Sequence, residues 1–343
     1  MRRLFVGGMV LGPVALAGAC GLDEAGLLGD ASPDVVAIEA GSDITVVDAP
    51  SDVVADVPTD QVADAPIDAG SDVDAQAACE AVCQAPASCL NGVCTYDCST
   101  SYSCLNTNIT CPNGVPCAVI CGQGSCTGTI NCGQASSCDV DCHGPYACTK
   151  NITCAGSDCT VQCGQGSCLG DIACNSTGSC KIDCGVDAGA NYACAGKTSC
   201  GGQDCWIGCT QGSCGDNVNC AASSQCNVDC TGSSSCAKTV QCSGTGTTCD
   251  IACAGQSSCV GDVTCTTTTG TCNVGCTGNY ACNGKVTSQA ATSTLCCDGT
   301  SSCVGAVSCG KTACKAACLG NNSCVTGTTC TATTCVLDAS TCP

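Results

Sequence analysis

Residues 159–184 read CTVQCGQGSCLGDIACNSTGSCKIDC, and the fold of the chain is decided there. Cys159, Cys163, Cys168 and Cys174 are followed by Cys180 and Cys184, where the same pattern restarts. The unit is C-x3-C, four or five residues, C-x5-C, then four to six residues, a period of about 21. Neighbouring units begin at Cys117, Cys138, Cys205, Cys226, Cys249, Cys272 and Cys314, with an earlier one at Cys94 and a truncated one at Cys79. Between Cys272 and Cys314 one unit is hidden: Cys297, Cys303 and Cys309 hold the phase, while its first cysteine is displaced to Cys296 or lost. About eleven such units indicate a stacked repeat architecture.

Within each unit, Val or Ile stands midway between the first two cysteines, as in Val119, Val140, Val161 and Ile182. Another stands two residues before the fourth, as in Ile130, Ile152, Ile172 and Val218. Both patterns place Cys and a β-branched residue on one face at period two, which is the strand signature. Gly, Ser, Asn and Asp fill the intervals and read as turns. Two short strands and two turns per unit predict an all-β, disulfide-stapled, flattened β-solenoid of about eleven 21-residue coils. At roughly 4.8 Å per coil it is about 50 Å long.

Of 49 cysteines, 48 lie between Cys79 and Cys342. Aromatic residues are 2% of the chain and the single Phe is Phe5, so bridges must stand in for a core of large side chains. The simplest pairing closes each turn, second cysteine to third. It gives Cys121–Cys126, Cys142–Cys148, Cys163–Cys168, Cys184–Cys194, Cys209–Cys214, Cys230–Cys236, Cys253–Cys259, Cys276–Cys282 and Cys318–Cys324. Whether the fourth cysteine pairs within its own coil or with the next, as Cys174 with Cys180, is open at this level. Independent knottin-like modules are disfavoured, because the period is too short for them.

Residues 1–19 carry Arg2 and Arg3, an apolar run from Leu4 to Leu16, and then small residues, as a secretory signal does. The sequence Leu16-Ala17-Gly18-Ala19-Cys20 resembles a bacterial lipobox, which implies lipidation of Cys20; ordinary cleavage after Ala19 is the alternative. Residues 20–78 form the expected anchor and acidic disordered linker, with 14 acidic residues and no Lys or Arg after Cys20. Asp48, Asp52, Asp56, Asp60, Asp64, Asp68 and Asp72 recur at every fourth position among prolines, against helix formation. They lack the glycine-centred spacing of a specific calcium loop. Such a tether spans roughly 45 Å root-mean-square. Residues 79–343 are the repeat domain, with 15 acidic residues against seven lysines, a balance that argues against nucleic acid as a partner.

No cofactor fingerprint or catalytic motif occurs, and the one histidine, His143, sits in a turn. These features point to a non-enzyme with no cofactor and no metal. Asp139, Asp141, Asp183 and Asp229 fall at outward positions and read as a solvated face. A thiol-based metal or redox store is the sharp alternative for so many cysteines, and the secretory signal opposes it. Tyr102, Tyr146, Tyr192 and Tyr280 each precede a third cysteine by two residues, and Trp206 is an outward strand residue. Tyr146, Tyr192, Trp206 and Tyr280 are therefore candidates for contact with a glycan or cell surface. A disulfide-stapled solenoid is similar in style to insect antifreeze proteins, but the outward threonine ladder that ice binding needs is irregular here.

Taken together, near-lipobox, Asp/Ala/Pro/Val tether and cysteine repeat resemble cell-surface lipoproteins of myxobacterial type. The resemblance implies a bacterial cell-envelope location, in the outer membrane or at the cell surface, with the N-terminal lipid as the membrane contact; secretion is the alternative. The expected function is that of a structural or adhesive module. The alternative is a ligand-binding solenoid, for glycan or ice.

Overall fold

The computed structural model describes residues 70–185 and 191–337, and side chains from residue 74. Cys20, Cys342 and most of the expected linker lie outside the described residues. The repeat body is a β-solenoid of about eleven coils. Each coil contributes one strand to each of two parallel sheets.

The first sheet stacks the C-x-[VI]-x-C segments, among them Cys117–Cys121, Cys138–Cys142, Cys159–Cys163 and Ser179–Cys184. The register is strict: Cys117 faces Cys138, Val119 faces Val140, Val140 faces Val161, and Val161 faces Ile182. The second sheet stacks Ile130–Cys132, Ile152–Gly156 and Ile172–Ser176, with Ile130 on Ile152 on Ile172. In mid-rod, Thr198–Cys209 and Val218–Cys230 each run through the corner and serve both sheets as one bent strand. The two Val/Ile ladders meet inside, and Val119, Val140, Val161, Ile182, Ile207 and Val228 are all fully buried. Burying each such side chain contributes about 1.5–3 kcal/mol.

In nearly every coil both corners are pinched by a bridge. Cys121–Cys126 closes one corner at a Cα–Cα distance of 5.8 Å. Cys132–Cys138 closes the other at 6.2 Å. The fourth cysteine therefore joins the first cysteine of the following unit, as Cys174 joins Cys180. A bridge over so short a loop contributes about 2 kcal/mol in the chain-entropy account.

Such tight corners leave no room for side chains where stacked turns touch. A Cβ at Gly278 would lie 2.1 Å from the carbonyl oxygen of Gly255, and one at Gly299 would lie 2.0 Å from that of Gly278. The residue before the third cysteine is always Ser or Ala. Ser125, Ser167, Ala147 and Ala193 are completely buried there.

The N-terminal end differs from the expectation of a truncated coil. Gly70–Val82 is an α-helix, so the last residues of the stretch read as linker are helical. Cys79–Cys89 and Cys83–Cys94 pin it to a hairpin of Ser88–Leu90 with Val93–Cys98. Asn91 and Gly92 both take positive φ, +52° and +77°, as a two-residue I′ hairpin turn requires. Tyr96 occupies the Val position of this first coil, opposite Val119, and its hydroxyl donates to the Thr110 carbonyl at 2.9 Å. Helix, hairpin and Tyr96 together cap the core and cover the sheet edge that a repeat stack otherwise leaves open.

The hidden unit is resolved in favour of loss. Ser288 stands in register between Cys265 and Cys309, and Ser293 between Cys272 and Cys314. Their hydroxyls meet at 2.7 Å, fully buried, where coils on either side carry the bridges Cys265–Cys272 and Cys309–Cys314. One rung of the ladder is thus a hydrogen bond instead of a disulfide. Cys296 falls at the outward register of Gly275 and Ala317 and is itself disulfide-bonded. Ser288→Val should leave the Ser293 hydroxyl without its partner and cost about 1–3 kcal/mol by denaturant titration. Ser288→Cys with Ser293→Cys should add a bridge, seen as no new titratable thiol and a higher midpoint; two free thiols would contradict the register.

Candidate functional site

Three features were singled out by chemistry: the buried cysteines as ligands, the acidic face with Trp206, and the tyrosine edge. The structure brings Cys121, Cys142 and Cys148 within ligand distance of one another, and likewise Cys209, Cys230 and Cys236. Each of these sulfurs is already in a bridge: Cys121–Cys126, Cys142–Cys148, Cys209–Cys214 and Cys230–Cys236. The pairs Cys163–Cys168, Cys184–Cys194, Cys253–Cys259, Cys276–Cys282 and Cys318–Cys324 are bridged as well. A disulfide sulfur is not a thiolate, so these clusters offer a metal no anionic ligand in the oxidised protein.

On the outer face of the first sheet, Trp206 lies in register between Lys181 and Asn227. Its Nε1–H donates to Asp229 Oδ2 at 2.9 Å, and Lys181 Nζ stands 5.1 Å from the ring centroid. The indole lies across Gly208, where any larger residue would collide with it. The cation–π contact and the hydrogen bond come from coils on either side and hold the ring flat. Beside it is a shallow depression of about 500 Å³, lined by Thr160, Lys181, Asp204, Trp206, Gln225 and Asn227. Trp206 is therefore an engaged residue of the face, only partly open to solvent.

Asp141 and Asp183 share one outward column with Gln162 between them. Two coils put their backbones about 9.6 Å apart. Asp141 accepts the backbone N–H of His143 at 3.0 Å and also contacts its Nδ1, closing a local turn. Burial pushes the Asp139 carboxyl above the usual carboxylate range, opposed by the nearby His143. Burial likewise raises Asp183, opposed by Lys181 and then His143.

The tyrosines occupy a different place, the corner that follows each first-sheet strand. Tyr102, Tyr146, Tyr192 and Tyr280 have φ of +59° to +61°, and more than half of each side chain is exposed. The corresponding residue of the next coil is Gly124, Gly166, Gly212 or Ser301, also left-handed. Tyr102 N–H donates to the Gln123 carbonyl at 2.8 Å, Gly124 N–H to that of Pro145 at 2.9 Å, and Tyr146 N–H to that of Gln165 at 3.1 Å. The corner is thus a hydrogen-bonded column with fixed spacing. One edge of the Tyr102 ring lies against Gly124, that of Tyr146 against Gly166, and that of Tyr192 against Gly212. Trp206 lies on the sheet face ahead of Cys209 and is not a residue of the corner column, so it does not join the tyrosines.

The sequence reading missed two things here: the left-handed backbone under each tyrosine, and the alternation of Tyr with Gly in a column visible only once the corners are aligned. No protein-family model, curated protein or solved structure matches the chain.

The raised carboxyl of Asp139 fixes a sign. A folded-state pKa above the unfolded one subtracts stability at neutral pH and restores it as pH falls through the raised value. Asp139 keeps much of its surface in solvent, so the effect is small: Asp139→Asn should raise the denaturant midpoint of the oxidised protein slightly at pH 7, and the advantage should vanish near pH 3. An equal gain at both pH values would contradict the burial cause.

Proposed function

We propose that this chain is a non-enzymatic structural or adhesive module, a rigid rod displayed at a bacterial surface and anchored through a lipid on Cys20. The observation that carries the reading is that every cysteine of residues 70–185 and 191–337 is disulfide-bonded. Bridges of this density persist in oxidising compartments, outside the cytosol. The secretory pattern of residues 1–19 and the acidic stretch of residues 20–78 agree with export and display. No helix among the described residues is long and apolar enough to cross a membrane.

A rod stapled at both corners of nearly every coil resists local opening, and local opening is what a protease needs. Its outer columns are polar and vary from coil to coil, as suits a display scaffold. The metal or redox store requires thiolates, and the paired sulfurs supply none until reduced. A ligand-binding role is compatible with the same rod and is distinguished by its exposed residues.

The test is the intact mass of the natively produced protein with thiol titration under denaturing, non-reducing conditions, followed by protease challenge. The expected outcome is no free thiol, a lipid increment mapping to Cys20, and survival of the repeat body until a reductant is added. Abundant free thiols, or mass lost on chelation, would replace the scaffold by the store. An unmodified Cys20 would remove the anchor and leave a secreted rod.

A further inference from the structure

The tyrosine corner has a period. Following the hydrogen-bonded column coil by coil, the left-handed position is Tyr102, Gly124, Tyr146, Gly166, Tyr192, Gly212, Ser234, Ser257, Tyr280, Ser301 and Asn322. All four tyrosines fall on the same alternate coils. The one member of that alternate set between them that lacks a ring is Ser234. Two coils at 4.7–4.9 Å each set successive rings about 9.6 Å apart, and Tyr192 to Tyr280 spans about twice that.

Three further features bear on what such an edge meets. First, a non-glycine residue at φ near +60° is unfavourable, and for a large side chain a true outlier. The same column accepts Gly, Ser and Asn, so the backbone does not ask for tyrosine; strain retained this way points to function. Second, the adjoining column reads Ser101, Gln123, Pro145, Gln165, Asn191 and Gln211 over the first six coils, and neither column contains a charged residue from Ser101 to Asn322. In a repeat domain with 15 acidic residues and seven lysines, this edge of phenols and amides is uncharged. Third, glycine between the tyrosines keeps each ring separate and open, with only one edge covered.

From these we infer that the corner column is a binding edge for an extended, uncharged β-1,4-linked polysaccharide. In such a chain alternate sugars present the same face, so the disaccharide repeat is close to the two-coil step. Each tyrosine then meets an equivalent sugar ring, and the amides between supply hydrogen bonds to hydroxyls. Aromatic rings with one wet polar tip suit such contacts. This deepens the adhesive reading and rests on it for the exposure of the rod.

The experiment is retention of the full-length, natively oxidised protein on insoluble cellulose and on chitin, with starch as the α-linked control. Retention on cellulose alone, chitin alone or both supports the inference and identifies the sugar. Equal retention on starch, or none on either β-linked matrix, overturns it. Tyr102→Gly, Tyr146→Gly and Tyr192→Gly combined should weaken retention by at least about tenfold. Because glycine suits φ near +60°, the denaturant midpoint should not fall, which separates lost binding from lost folding. Ser234→Tyr fills the vacant alternate position and should tighten retention, whereas Ser257→Tyr, one coil out of phase, should not. Unchanged retention of the triple variant, or equal gains from Ser234→Tyr and Ser257→Tyr, overturns the inference. A failure of the rod itself appears separately, as free thiols and protease sensitivity in the same preparations.

Discussion

The whole molecule depends on one constraint: like must stack on like at the spacing of neighbouring parallel strands. A cysteine corner about 6 Å across stacks on another cysteine corner above and below it, or, once, on the Ser288–Ser293 hydroxyl pair that fills the same space. Once that register is fixed, the Val and Ile ladders fall inside and the glycines fall where turn backbones touch. Ser or Ala then remains the only choice beneath the third cysteine. Hydrophobic burial and bridging are therefore not independent contributions. The bridges set the width of the section, and the core within it is mainly Val, Ile and cysteine sulfur, with Leu295 and Ala316 in one Val column.

Much of this was legible in the sequence, because a 21-residue period samples the same environment again and again. Val119, Val140 and Val161 repeat the strand argument independently, so an accident at one position cannot mislead. The bridge topology at one corner followed from loop length alone. The other corner was ambiguous, since Cys174 has cysteines within reach in two directions, and only the placement of the chain resolves it in favour of Cys180.

What escaped was whatever occurs once. The helix over residues 70–82 follows an Asp-rich, Pro-punctuated stretch and gains its place through Cys79 and Cys83, a tertiary cause that local propensity does not show. The hairpin at Asn91-Gly92 had a readable turn signal, hidden by treating Cys79 to Cys94 as a degenerate coil. Ser288 and Ser293 looked like absence, because a repeat reading registers missing cysteines as gaps. In the structure they are a positive feature, two hydroxyls that satisfy each other in the same space. The partners of Trp206, from Lys181 on one side to Asp229 on the other, lie 25 and 23 residues away in sequence, beyond any local pattern.

The paired corners also determine how the rod would behave under tension. In the coil that contains Cys142–Cys148 and Cys154–Cys159, the two bridges bypass stretches of six and five residues. About half of each coil is therefore out of the load path, and pulling on the ends can pay out only the remainder. A conventional 21-residue repeat would lengthen by some 70 Å on unravelling. Here the gain per coil is roughly halved, because only the strand segments between the bridges can extend. A solenoid with that response yields little length for each coil that opens, whatever holds its ends.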